Sequence, residues 1–148
     1  APGRLAAILD MNRHRYDYLI DVEKYRSIEH LTVDLASVGQ VYPQGTPGDS
    51  AGVLQMKDSG VSVRLGGVTS AGRIDLTLDN NDDYRISFWQ GEDEVGFLVI
   101  SGLNISEGLT RYTPAVPDSA RQAGFDVIQV HPLRGDGFYA LGHLTLAP

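Results

Sequence analysis

The end of the chain constrains the fold most, because it places a turn signal between two apolar runs. Residues 125–133 (FDVIQVHPL) and 138–146 (FYALGHLTL) are rich in residue types that favour strands. Arg134-Gly135-Asp136-Gly137 lies between them, and Gly-Asp-Gly segments favour tight turns. Strand, turn, strand and stop is how an antiparallel β-sandwich closes, so this segment predicts a hairpin and the class of fold.

A two-residue period also recurs from Ile28 onward. Residues 30–36 (HLTVDLA) alternate between apolar and polar side chains. Further strand candidates are residues 52–57, 61–65, 73–79, 84–90 and 94–100. Residues 38–51 are rich in Pro and Gly, which predicts a loop. Residues 101–124 form a longer connection between strands. Within it, residues 117–124 indicate one helical turn that ends at a Gly. About eight strands with short turns predict a mainly β protein, an antiparallel β-sandwich of jelly-roll type.

The first 28 residues follow a helical period instead. Their apolar and aromatic positions are Leu5, Ile8, Leu9, Tyr16, Leu19 and Ile20. Charged residues fall mostly between them, which predicts an N-terminal amphipathic α-helix over residues 1–28 and a β-sandwich domain over residues 29–148. The helix either packs on the sandwich or joins it to a preceding domain or to another copy of the chain.

Composition narrows the classes of function. The chain has 148 residues, enough for one domain with a sizeable core. Its net charge of −7 argues against nucleic acid or anionic lipid as partners, because both require a basic surface. No apolar run approaches the roughly 18 residues of a membrane span, so we expect no direct membrane insertion. The chain begins at Ala1 without an initiator Met, so we expect a processed form or an excised domain.

Catalytic and metal-binding signatures are weak. The chain has no Cys, which excludes disulfides, thiolate zinc sites and Cys nucleophiles. Its four histidines form no HxH or HExxH spacing. A closing hairpin would allow His131 and His143 to face each other near Asp136, which keeps a small enzyme as a minor hypothesis. Polar strand residues are the simpler interpretation, and we predict no catalytic residues.

The run Asp79-Asn80-Asn81-Asp82-Asp83 is the best candidate for a metal site. Calcium prefers hard oxygen ligands from carboxylates, amides and backbone carbonyls in a loop. We therefore predict Asp79, Asn81 and Asp82 as ligands of a structural calcium ion. The alternative is a solvated β-turn, since Asn and Asp are favoured in turns and the run lacks the Gly and distal Glu of an EF-hand.

Trp89 is the only Trp and the best candidate for ligand binding. If Ile86 and Phe88 face the core, Trp89 faces outward together with Arg85 and Ser87. Sugar rings stack their apolar C–H faces on aromatic side chains, while polar side chains bind their hydroxyls. A Trp covered by a second sheet or by the N-terminal helix is the alternative. The predicted ligand-binding residues are Trp89, Arg85, Arg111, Tyr112, Arg134 and Asp136.

The pattern of strands resembles that of galactose-binding-like, discoidin-type β-sandwich modules. In that family a penultimate strand like residues 125–133 leads through a turn to a final strand like residues 141–146. The candidate hairpin of residues 73–79 and 84–89 is similar to the middle of such modules. The resemblance implies a glycan-binding or spacer module, of the kind appended to extracytoplasmic bacterial enzymes.

We therefore expect a non-catalytic carbohydrate-binding module of an extracytoplasmic or secreted bacterial protein. Its expected partners are a glycan and either a parent enzyme domain or further copies of the chain. The alternative is a structural or assembly domain that makes protein–protein contacts through residues 1–28. Oligomerisation that is lost on removal of that helix, without affinity for sugars, would distinguish the assembly domain.

Overall fold

Period-two alternation builds strands throughout the part of the chain that the structure describes. This structure, a computed structural model, describes residues 31–79, 82–102, 108–134 and 139–148. The strands are β1 (Leu31–Asp34), β2 (Leu54–Met56), β3 (Val61–Thr69), β4 (Arg73–Asp79), β5 (Asp83–Gln90), β6 (Asp93–Ile100), β7 (Leu109–Tyr112), β8 (Phe125–Arg134) and β9 (Tyr139–Ala147). A 3-10 turn (Leu35–Val38) follows β1, and the short helix α1 (Asp118–Ala123) precedes β8.

The strands form two sheets that pack face to face. Sheet A has the order β1-β3-β8-β5-β6, and sheet B has the order β2-β9-β4-β7. Within the described residues, β1 and β3 are parallel, whereas the other strand pairs are antiparallel. The predicted β-sandwich is confirmed, while its jelly-roll connectivity stays a prediction and the predicted N-terminal helix lies outside the described residues. Among the helices of the described residues, none is long and apolar enough to cross a membrane.

The core lies between the sheets and is filled by alternate residues of the central strands. In β4 these inward residues are Ile74, Leu76 and Leu78, and in β5 they are Tyr84, Ile86 and Phe88, all of them fully buried. Burial of each large apolar side chain contributes about 1.5–3 kcal/mol. Their alternation leaves the intervening residues of each strand on the outer face of its sheet, where a ligand site can form.

The predicted closing hairpin is wrong. β8 pairs with β3 and β5 in sheet A, whereas β9 pairs with β2 and β4 in sheet B. Each strand is central in its own sheet, so the chain changes sheets between Arg134 and Tyr139. His131 therefore lies in sheet A and His143 in sheet B, which contradicts the hypothesis that the two imidazoles face each other.

The connection predicted for residues 101–124 contains regular structure. Its helical turn is confirmed as α1, which ends at Gly124 with a positive φ of 83° that favours Gly. β7, in contrast, is a strand that the sequence pattern did not predict. It is four residues long and forms the edge of sheet B beside β4, too short for alternation to be recognised.

Candidate functional site

The outer face of sheet A carries an aromatic and charged surface built on β5. The outward residues of β5 include Arg85, Ser87 and Trp89, as the sequence predicts. Directly paired residues of neighbouring strands project from the same face of a sheet. The pairing therefore adds three residues of β6 and three of β8 to this face. We call the resulting nine residues the sheet A platform: Arg85, Ser87, Trp89, Glu94, Phe97, Val99, Val127, Gln129 and His131.

Trp89 is partly exposed and has a fixed orientation. Its indole Nε1–H donates a hydrogen bond of 2.8 Å to the hydroxyl of Ser87, two residues earlier on the same face. Ser87 is buried even though it belongs to the outer face. Because the polar edge of the indole is bonded within the protein, the ring is held in place and its apolar surface is the part available for a ligand.

Arg85 forms a clamp with Glu94 over the ring of Phe97. Its two terminal nitrogens donate to the two carboxylate oxygens of Glu94 at 3.0 and 2.8 Å. The guanidinium carbon lies 4.1 Å from the centroid of Phe97, within the range of a cation–π contact. Hydrogen bonding to Arg85 also holds the pKa of Glu94 below its usual range, so the carboxylate stays ionised at neutral pH.

Phe97 and Val99 are exposed apolar residues beside this clamp. About half of each residue is accessible, 51% for Phe97 and 52% for Val99. Sequence reasoning placed both in a strand candidate but assigned neither to a site. The short Gly91-Glu92 turn between β5 and β6 is the signal that it missed, because the register of that hairpin sets Phe97 opposite Ser87.

Sheet A extends the same outer face beyond β8 onto β3 and β1. Ser62 and Arg64 of β3 pair with Gln129 and Val127 of the platform. Asp34 of β1 pairs with Arg64, and the two side chains form an exposed ion pair at 3.0 Å. Five strands at about 4.8 Å spacing make the outer face roughly 19 Å wide.

The other predicted ligand-binding residues lie elsewhere. Arg111 and Tyr112 belong to β7 in sheet B, where Arg111 is bonded to Asp75 and Tyr112 packs against the core. Arg134, at the end of β8, donates to Asp83 at 2.8 and 3.1 Å. Asp136 lies outside the described residues. Of the six predicted residues, the structure brings together Trp89 and Arg85.

The predicted calcium ligands include two buried carboxylates. Asp79 ends β4 and Asp82 precedes β5, and only 5% and 1% of them are exposed, so neither is a solvated turn residue. The Tyr84 hydroxyl donates to Asp82 at 3.4 Å, and burial together with both carboxylates raises the pKa of Tyr84. Asn81 lies outside the described residues. Within the described ranges, no three His, Asp or Glu side chains are grouped closely enough to hold a metal ion.

A line of polar groups crosses the outer face of sheet B. The Thr77 hydroxyl contacts Nδ1 of His143, Nε2 of His143 lies 2.9 Å from Asp75, and Asp75 accepts from Arg111. Hydroxyl, imidazole and carboxylate occur in this order in nucleophilic triads. Here Thr77 is 1% exposed and His143 is fully buried, so a substrate has no access to the hydroxyl. We therefore interpret the line as structural.

Comparison with known proteins bears on the fold. The sequence matches no protein-family model and no curated protein. Its fold is similar to a solved family 29 carbohydrate-binding module, a mutant of CBM29-2. That similarity has a TM-score of 0.51 and 19% sequence identity over 74% of this chain and 86% of that chain. The similarity shows the fold, a β-sandwich.

A second solved structure is more distant. CsCBM6-3 from Clostridium stercorarium, solved in complex with cellobiose, has a TM-score of 0.37 and 10% identity, covering 64% of this chain and 66% of that chain. The CBM29-2 similarity confirms the predicted resemblance to carbohydrate-binding modules at the level of the fold. At 19% sequence identity, the similarity assigns no binding role to any individual residue of the platform.

Proposed function

We propose that this protein binds a carbohydrate on the sheet A platform. The observation that carries the proposal is Trp89, the single Trp, held by Ser87 on an outer sheet face with the half-exposed residue Phe97 nearby. Sugar rings are amphipathic, so a surface that recognises them combines aromatic area with polar groups. The solved module with this fold carries the name of a carbohydrate-binding family, which supports the same function here.

Each part of the platform has a distinct role in this proposal. Trp89 and Phe97 supply apolar area on which the C–H face of a sugar packs. Arg85, Glu94 and Gln129 supply donors and acceptors for the sugar hydroxyls. Since Arg85 and Glu94 already hold each other in position, little side-chain entropy is lost when a ligand binds.

The roles of Arg111, Tyr112, Arg134 and Asp136 stay predictions, and the proposed site does not depend on them. Arg111 and Arg134 are each bonded to a carboxylate, and Tyr112 belongs to the other sheet. A site that used Arg111 together with Trp89 would need the ligand to wrap around the edge of the sandwich.

The test is a glycan-array screen of the protein, followed by titration of the best hit with Trp89→Ala and Phe97→Ala variants. We expect Trp89→Ala to weaken binding at least tenfold while the circular dichroism spectrum keeps its β-sheet signature. The matched control is Val41→Ala, which shortens an exposed apolar side chain outside the platform and should leave the affinity unchanged. Equal affinities for the wild type and Trp89→Ala would exclude the platform as the binding site.

The calcium site is a further proposal, with Asp79, Asn81 and Asp82 as ligands. Its support is the run of carboxylate and amide side chains at residues 79–83. Their oxygen donors match the preference of calcium. We expect calcium to raise the melting temperature relative to a chelator, and Asp82→Asn to remove that difference. Identical melting curves in calcium and chelator would contradict the site.

The setting of the module is also proposed, as a non-catalytic part of an extracytoplasmic bacterial protein. The carbohydrate-binding fold supports this setting. The alternative of an assembly domain depends on residues 1–28, which lie outside the described residues. Size-exclusion chromatography of the full chain and of a chain lacking residues 1–28 tests it: a larger species that disappears with the truncation would favour assembly.

A further inference from the structure

The charges on the outer face of sheet A indicate which class of glycan the site accepts. We infer that the platform is specific for uncharged glycans and that Glu94 sets this specificity by occupying the guanidinium of Arg85. This inference rests on the proposed function, because it concerns the same site. It adds a ligand class and a specificity-determining residue.

Acidic sugars carry carboxylate or sulfate groups, which proteins recognise mainly with free arginine forks. The described strands of sheet A carry three arginines, Arg64, Arg85 and Arg134. Arg85 makes a two-point contact with Glu94, Arg64 is paired with Asp34, and Arg134 is paired with Asp83. Each of the three is therefore already bonded to a carboxylate, and none is an open receptor for an anionic group.

The three pairs differ in how tightly they are held. The arginine side chains of the Arg64–Asp34 and Arg134–Asp83 pairs are 58% and 85% exposed, and such exposed pairs contribute little. The Arg85 and Glu94 side chains are both 30% exposed, and the guanidinium also rests on the ring of Phe97. An acidic sugar approaching Arg85 would have to displace Glu94 and would then lie beside its displaced negative charge.

A neutral sugar does not need to displace Glu94 and is not repelled by its negative charge. The guanidinium has five N–H donors, and Glu94 occupies two of them through one oxygen each. The remaining N–H groups can donate to sugar hydroxyls, and the carboxylate oxygens keep lone pairs that can accept from them. The net charge of −7 adds a long-range repulsion that acts on polyanions and not on neutral chains.

The test compares two ligand sets in the same buffer. The neutral set is mannan, xylan and mixed-linkage β-glucan, and the acidic set is polygalacturonate, alginate and heparan sulfate. Affinity electrophoresis and titration calorimetry are run on the wild type, Glu94→Gln and the matched control Asp34→Asn. Both substitutions remove one negative charge from the same sheet face, but only Glu94→Gln releases Arg85.

We expect the wild type to bind a neutral polysaccharide and to bind the acidic set at least tenfold more weakly. Glu94→Gln should strengthen binding to an acidic polymer at least tenfold, with a gain that disappears in 0.3 M salt, whereas Asp34→Asn should not. Wild-type binding to the acidic set as tight as to the neutral set would overturn the inference and leave the proposed function standing. Equal gains from the two variants would overturn the role of Glu94. Binding to neither set, nor to any glycan of the array, would overturn the proposed function itself.

Discussion

Replacing Thr77 with Val tests the buried polar line of sheet B. Asp75 accepts from Arg111, and this hydrogen bond is the main cause that lowers the pKa of its carboxyl. An ionised carboxylate only accepts hydrogen bonds, so Nε2 of His143 must carry the proton that faces Asp75. We predict that Nδ1 of His143 carries no proton and accepts from the Thr77 hydroxyl. Val has nearly the same shape as Thr but cannot donate.

The expected loss of stability follows from burial. Thr77 is 1% exposed and His143 is fully buried, so water does not replace the lost donor. Leaving a buried acceptor without its partner costs about 1–3 kcal/mol. Thr145→Val is the matched control, since Thr145 pairs with Asp75 on the same sheet but is only partly buried. Away from buried features such a change shifts the free energy of unfolding by about 0.5 kcal/mol at most.

Urea unfolding, followed by the fluorescence of Trp89 and by circular dichroism, measures the difference. With a slope of about 2 kcal/mol per molar urea, a loss of about 2 kcal/mol lowers the midpoint by about 1 M. We expect that shift for Thr77→Val and little shift for Thr145→Val. Equal midpoints for the two variants would refute the tautomer assignment and the structural role of the line.

Two further predictions concern stability. Phe88→Ala should lower the free energy of unfolding, measured in urea, by about 3–5 kcal/mol. Phe88 is fully buried and its ring packs edge-to-face on that of Phe125, with the centroids 5.0 Å apart. A loss below about 1 kcal/mol would contradict this packing. Hydrogen bonds from the Gly102 amide, and to a smaller extent from Arg134, lower the pKa of Asp83 in the folded state. The ionised carboxylate therefore stabilises the folded protein fully above about pH 4, the usual pKa of an Asp in an unfolded chain. This stabilisation is lost as the pH falls through the lowered pKa of the folded state. Asp83→Asn should therefore flatten the dependence of the urea midpoint on pH below about 4, and an unchanged dependence would contradict the Asp83 contacts.

The alternation of apolar and polar residues within one strand predicts where that strand lies and which of its residues face the core. The alternation of residues 73–79 predicts β4 with the bounds that the structure shows. The same reasoning places Trp89 and Arg85 outward, because Ile86 and Phe88 have to face the core. A period of two fixes the face of a strand whatever its neighbours are, and so the centre of the platform could be found from the sequence.

Contacts between distant segments could not be predicted in this way. Arg111 and Arg134 look available in the sequence, yet their carboxylate partners, Asp75 and Asp83, lie 36 and 51 residues away. The hairpin assumed for the last two strands also failed, because a turn signal does not specify which sheet a strand joins. Phe97 was missed because its face depends on the register between β5 and β6, which the Gly91-Glu92 turn sets and the pattern of either strand alone does not.

The position of the last two strands has a consequence for how the protein forms during synthesis. In the described residues, β8 separates β3 from β5 and β9 separates β2 from β4. A nascent chain that ends before Phe125 therefore has neither sheet in a continuous form, and its earlier strands expose unpaired edges. Folding waits for the last strands to leave the ribosome, and a premature stop codon shortly upstream of them should yield an aggregating fragment rather than a weakened module.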